Sequence, residues 1–99
     1  MSAALPLIEA RAGFYRDVRI GLGLSQSDFG ALVNAHSVTV SNWERGHRRP
    51  DPNQQALIAS FQLAIDRDAP IRPDLDAIIA SAGPTYALYL ILHAAHGVA

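Results

Sequence analysis

The 99 residues include no cysteine and no lysine, and nowhere a long apolar run. Without cysteine there is no disulfide framework and no thiolate zinc site, which suits a reducing cytoplasm. The missing lysine excludes nothing. Every basic residue is arginine, whose guanidinium forks onto phosphate, but a GC-rich coding bias gives the same usage. The longest apolar stretch, YALYLIL from Tyr86 to Leu92, is far short of the roughly 20 residues a membrane span requires. The amino end, MSAALPLIEARAG, lacks the basic start and apolar core of a signal peptide. A soluble, cytoplasmic protein without a membrane partner is expected. Net charge is also scarce, at −1, and a near-neutral chain does not by itself point to nucleic acid. The distribution says more. Residues 1–50 carry six arginines against four acids, a net +2, whereas residues 51–99 carry two arginines against five aspartates, a net −3.

What is present is punctuation and helical spacing. Glycine and proline punctuate the chain at, among other positions, Gly46, Pro50, Pro52, Pro70, Pro73, Gly83 and Pro84, and the segments between these lack strand alternation. The length suits one all-α domain with a modest core. A first helix is expected over Pro6 to Leu22, with Phe14, Val18 and Leu22 on one face and Tyr15 beside them. A second should run from Gln26 to Val33, with Ser25 as its cap and Asp28 completing a shortened capping box. A third should run from Ser37 to Arg45 and stop at Gly46. Asp51 and Pro52 suit the cap and first residue of a fourth, whose buried stripe should be Leu57, Phe61 and Ile65, with Ile58 and Ala64 alongside. A fifth should start near Pro73 or Asp74, bury Leu75, Ile78 and Ile79, and end at Gly83. Thr85 could cap a last helix reaching His96; a strand through YALYLIL is the alternative.

The second and third helices, LSQSDFGALVNAHSVTVSNWERG from Leu24 to Gly46, are each too short to be stable alone. A connection of about three residues forces them to cross closely. Gly30 supplies the small residue for the crossing, and Asn34 accepts the left-handed backbone of the turn. Phe29, Val33, Ala35, Val40 and Trp43 have the spacing to seal the angle.

This constellation closely resembles the helix-turn-helix of the Cro and lambda-repressor-like (XRE) DNA-binding family, over roughly residues 14–66. LSQSDFGALV, the apolar Val40, NWERG and the following RRP stand in one register. The resemblance implies a lambda-repressor-like domain of five to six helices. Two positions depart from the family pattern. The turn residue, usually glycine, is Asn34, and the cap of the third helix, usually serine or threonine, is His36. Either the imidazole accepts the amide bond, or the helix starts one residue later.

With Val40 and Trp43 inward, the third helix presents Ser37, Val38, Ser41 and Asn42, with Thr39 at the edge. In the family the start of this helix enters the major groove. Asn42 could pair with adenine, Ser37, Ser41 and Thr39 could donate or accept, and Val38 could meet a thymine methyl. An ordinary solvated face would more often carry Glu and Lys, the better helix formers; short uncharged side chains instead let a helix sit deep in a groove. Gln26, at the head of the second helix, touches a phosphate in the family. Arg45, His47, Arg48 and Arg49, in RGHRRP, are further phosphate candidates, as is Arg16. Arg19 and Glu44 would form a structural ion pair tying the first helix to the third.

Residues 1–70 are therefore expected to be the DNA-binding unit, and 71–99 a helical extension packed on the same domain. Its last helix is apolar all round and must be buried somewhere, yet a chain this short has little core left to cover it. Tyr86, Tyr89, Leu90, Leu92 and His93 are accordingly candidates for a homodimer interface, which would bring two reading helices onto a palindrome. The expected function is a sequence-specific, repressor-like regulator of transcription whose partner is double-stranded DNA. The alternatives are an antitoxin, which would bind DNA and neutralise a toxin protein, and a protein-binding adaptor. His93 and His96 have a spacing that could hold metal, but no cysteine or acid lies near them; no metal and no cofactor is expected. Nor do the four histidines pair with a nucleophile or acid, so the chain is not expected to be an enzyme.

Overall fold

The computed structural model describes residues 11–67 and 74–96. Six α-helices and no strand occur among them: α1 Ala12–Gly21, α2 Gln26–Leu32, α3 Ser37–Glu44, α4 Pro52–Asp66, α5 Leu75–Ala82 and α6 Pro84–His96. The part of the expected first helix before Arg11, the possible start of the fifth at Pro73, and the expected boundary between residues 70 and 71 lie outside the described residues.

Several helix ends have a local reason. Ser25 Oγ accepts from the Asp28 amide at 3.1 Å to start α2. Asp28 makes no return bond to the Ser25 amide among the described residues; its carboxylate is one methylene shorter than the glutamate a capping box uses. In α4 the box is complete. The Gln54 amide donates to Asp51 Oδ1 at 2.7 Å and the Asp51 amide donates to Gln54 Oε1 at 2.9 Å, with Pro52 as first helical residue. Gln54 Nε2 also donates to the Val33 carbonyl at 3.0 Å, fastening α4 to the end of α2. Gly83, at φ 95°, ends α5, and α6 starts at once on Pro84. The expected cap Thr85 therefore sits inside the first turn: proline already fills the first position, so the chain turns one residue earlier.

The core is one cluster reaching every helix. Tyr15, Val18 and Leu22 bury one side of α1, with Phe14 only half-buried. The stripe of α4 is Ile58, Phe61 and Ala64; Leu57 and Ile65, expected to lead it, are half-buried. The stripe is turned because α4 packs against both α1 and α6, and wholly buried Ala64, Ala87 and Ala95 are the small residues that close helix packing favours.

The largest correction concerns α6. It is helical throughout YALYLIL, so the strand alternative fails. It also has a core of its own to enter: α6 packs on α4, α5 and α2. Ala87, Ile91 and Ala95, four residues apart, have no solvent exposure. The sequence overstated what was left over, because it could not show that α2, α4 and α5 converge on one side of this helix. Its other side carries Tyr86, 49 % exposed, and Tyr89, 59 % exposed. No described helix is long and apolar enough to cross a membrane.

Candidate nucleic-acid interface

The placement of α3 begins with the turn before it. The Ala35 amide donates to the Gly30 carbonyl at 2.8 Å, and the Val33 amide to the same oxygen at 3.0 Å. Asn34 takes φ 58°, the one left-handed residue other than glycine among those described. Asparagine tolerates this region because its short polar side chain bonds locally. Gly30 is buried where any side chain would strike the carbonyl of Ala35. Phe29, Val33, Val40 and Trp43 close the angle, each at most 2 % exposed.

The start of α3 is settled by its cap. His36 has extended backbone and its Nδ1 accepts from the Val38 amide at 3.1 Å, so the helix begins at Ser37. An imidazole nitrogen can accept only as the neutral ring, with the other nitrogen protonated.

With Val40 and Trp43 inward, Val38 stands out at 60 % exposure. Ser37, Thr39, Ser41 and Asn42 are half-exposed around it. Asn42 is not idle: Arg45 Nη2 donates to its Oδ1 at 3.4 Å, a long contact near the limit for a hydrogen bond. Arg45, His47, Arg48 and Arg49 are all exposed beyond the helix. The chain there is tucked under α3. Gly46, at φ 79°, lets its amide reach the Trp43 carbonyl at 3.1 Å, while the His47 and Arg48 amides both donate to the Asn42 carbonyl, at 2.9 and 3.4 Å. The basic loop is thus hinged on the end of α3, which the residue types alone did not reveal.

Glu44 is the junction of the unit. Arg19 Nε donates to its Oε2 at 2.7 Å and Arg19 Nη2 to its Oε1 at 3.0 Å, a two-pronged pair. Arg19 Nη1 continues to the Leu24 carbonyl at 3.0 Å. Gln26 Nε2 also donates to Glu44 Oε1, at 3.2 Å, so one carboxylate ties α1, α2 and α3. Gln26 was expected at a phosphate; here its amide nitrogen is directed to Glu44, a contact that spacing could not disclose. Burial alone would push the Glu44 carboxyl up, but the bonds from Arg19 and Gln26 and the charges of Arg19 and Arg16 outweigh it and hold it below its ordinary value. The Glu44 hydrogen bond raises Arg19 against the opposing effect of burial. Arg16 is itself exposed on α1.

Tyr86, Tyr89 and His93 are exposed on α6, with Leu90 and Leu92 half-buried. The rings of Tyr89 and His93 lie 5.7 Å apart. No group of three histidine, aspartate or glutamate side chains able to hold a metal occurs among the described residues.

A helix-turn-helix family model matches residues 16–61, from α1 into α4. No curated protein and no solved structure matches the chain.

Proposed function

Through residues 16–61 the chain belongs to the Cro and lambda-repressor-like helix-turn-helix family and is a DNA-binding regulator; from that premise we propose that it acts as a sequence-specific repressor, binding a palindromic operator as a homodimer. The observation that carries this reading is the outer face of α3. Ser37, Val38, Thr39, Ser41 and Asn42 are short, uncharged and solvent-facing to varying degrees, while exposed Arg45, His47, Arg48 and Arg49 follow the helix directly. Short side chains let the helix backbone approach base edges, and the arginines supply the phosphate contacts that dominate affinity.

In this reading Asn42 pairs with an adenine, Val38 meets a thymine methyl, and Ser37, Ser41 and Thr39 complete the base contacts. Arg45, His47, Arg48, Arg49 and Arg16 take phosphates. Gln26 divides its amide between Glu44 and a phosphate at the head of α2. Arg19 and Glu44 read nothing; they hold the angle between α1 and α3. Residues 1–70 form the DNA-binding unit and 71–99 the part that dimerises.

The exposed face of α6 serves as the two-fold contact, since a pair of reading helices about one DNA turn apart needs a symmetric partner. Deleting α6 would remove Ala87, Ile91 and Ala95 from the core, so the dimer is better tested by Tyr86→Lys with Tyr89→Lys. Light scattering should show a dimer at micromolar concentration for the parent and a folded monomer for the variant. A monomeric parent sinks the dimer. The same exposed tyrosines favour one second reading, an antitoxin whose α6 face meets a toxin; a protein that co-purifies with the parent and is lost with the double variant would select it.

The decisive measurement is titration of the DNA upstream of this gene at two salt concentrations. Asn42→Ala should relax preference at one base pair, costing roughly 1–3 kcal/mol. Arg48→Ala should weaken all sequences alike and lower the salt slope by about 1. Equal losses on operator and random DNA for both variants would refute the division of roles.

A further inference from the structure

Between the head of α1 and the loop after α3 lies a cleft of about 290 Å³, at the small end of ligand-pocket sizes. Arg11, Ala12 and Tyr15 line it from the α1 side of the chain, Arg48 and Arg49 from the loop, together with Trp43 of α3. The loop approaches closely: a side chain begun at Gly46 would meet Ala12 Cβ at 3.6 Å. Three features of this cleft favour negative charge. Arginines line it from both the head of α1 and the loop. Arg11 and Ala12 bring the head of the ten-residue α1 to the cleft, and among the described residues it has neither a side-chain cap from Arg11 nor an acid in its first turn to offset the positive end of the helix. Finally, Tyr15 is only 3 % exposed, yet its buried hydroxyl has no hydrogen-bond partner among the described residues.

A buried hydroxyl without a partner costs free energy that folding would ordinarily avoid. The ring is fixed in place: it is packed edge-on to Phe14 at 5.6 Å and tilted toward Trp43 at 6.2 Å between centroids. Burial raises the phenol above its ordinary value, with the Arg49 charge working against it, so at neutral pH the group is a protonated donor.

We propose that this cleft is an oxyanion site, in which a phosphate or carboxylate group accepts from the Tyr15 hydroxyl and the first amides of α1 while Arg11 and Arg48 neutralise it. The group belongs either to a small organic or inorganic anion or to the backbone of bound DNA. In the first case the ligand is an effector, because Arg48 cannot serve the cleft and a DNA phosphate at once. The site does not depend on the base-reading assignment, and its first test contains no DNA.

Trp43 is the single tryptophan and lines the cleft, so its emission reports occupancy. The full chain would be titrated with sodium phosphate against sodium chloride at matched ionic strength. A saturable change specific to phosphate, weakened about tenfold or more in Tyr15→Phe by loss of a hydrogen bond to a charged group, and also weakened in Arg11→Gln, establishes a free-anion site. Tyr15→Phe keeps the ring and removes only the unpartnered hydroxyl; Arg11→Gln lies at the surface, so one of the pair remains informative if the other misfolds. No phosphate response, combined with about tenfold weaker binding of Tyr15→Phe to duplex DNA at an unchanged unfolding midpoint, assigns the site to the DNA backbone. The proposal is overturned if emission follows ionic strength alone and Tyr15→Phe binds DNA like the parent, or if phosphate binds both variants as tightly as it binds the parent.

Discussion

Replacing Gly30 by alanine tests whether the two short helices depend on one close approach. An added Cβ would fall closer than 3.0 Å to the Ala35 carbonyl oxygen and 3.3 Å from Val40 Cγ2. The carbonyl is backbone and cannot swing aside. Moving it disturbs Asn34 and the bond from the Ala35 amide to the Gly30 carbonyl. Overpacking costs roughly 1–3 kcal/mol, and a turn bond lost in a buried place about 1–3 more. The better helix propensity of alanine returns up to about 1. A net loss of about 3 kcal/mol follows, on the order of 12–24 °C in melting temperature for a domain of this size. Two other glycines provide the control. At Gly13 a Cβ meets nothing within 4 Å, so alanine should be neutral or stabilise by up to about 1 kcal/mol. At Gly21 it meets Ile65 Cδ1 at 2.8 Å, the tip of a flexible side chain that can rotate away, and the effect should lie between the other two. Urea unfolding followed by Trp43 emission and by helical circular dichroism would measure all three. If Gly30→Ala falls within about 0.5 kcal/mol of the parent, or Gly13→Ala destabilises as strongly, the close-approach account is wrong.

The remaining expectations concern the junction and both ends of α3. The Glu44 carboxyl is held below its ordinary value of 4.5, so its contribution to stability is complete above that pH and lost as the pH falls through the lowered folded value. Arg19 and Glu44 side chains are 15 % and 7 % exposed, between the surface and buried cases, so Glu44→Gln should cost about 2 kcal/mol at pH 7. The difference from the parent should shrink in acid unfolding series below pH 4.5; a constant difference would refute the linkage. His36→Ser supplies a stronger cap and should stabilise by about 0.5 kcal/mol in urea unfolding. A loss of stability at pH 7 would contradict the cap. Arg45→Ala removes both a phosphate charge and the 3.4 Å contact to Asn42 Oδ1. DNA titrations should show weaker overall binding with a salt slope lower by about 1, while preference at the base pair assigned to Asn42 is kept. A loss of that preference would mean that Arg45 orients Asn42 and does not compete for it.

What could be read in the sequence was what neighbouring residues decide among themselves. Asn34 in the turn, Ser25 and Asp51 as caps, Pro52 as a first residue, and Gly46 and Gly83 as stops all rest on local backbone preferences. The inward set of Phe29, Val33, Val40 and Trp43 followed because two short helices joined by so short a turn have few ways to bury each other. The failures lie where one element depends on a distant one. Ile58 and Ala64 outrank Leu57 and Ile65 because α4 is packed from two sides, whereas periodicity assumes one. The burial of Ala87, Ile91 and Ala95 needed knowledge that three helices meet beside α6. Gln26 beside Glu44 spans 18 residues, and Tyr15 gave no sign of an unpartnered hydroxyl, since a tyrosine on an apolar helix face reads as core.

The bonds around α3 are unevenly distributed, and the unevenness bears on how it would read DNA. Its end is secured many times over. Glu44 takes three donors from Arg19 and Gln26, the loop amides of His47 and Arg48 converge on the Asn42 carbonyl, and Trp43 is buried. Its start has Val40 to anchor it, but among the described residues the imidazole cap is the one side-chain bond holding its exposed first turn. Local opening follows the scarcity of buried contacts, so fraying should begin at Ser37 and leave Glu44 in place. The direction of the helix is therefore set at the end farther from the proposed first base contacts, through a carboxylate that reads nothing. Ser37 and Val38 keep room to adjust to a groove without disturbing the angle between α2 and α3. Substitutions at Glu44 should then alter affinity for every sequence together, whereas substitutions at His36 should alter discrimination in the first turn while leaving the rest of the reading face in register.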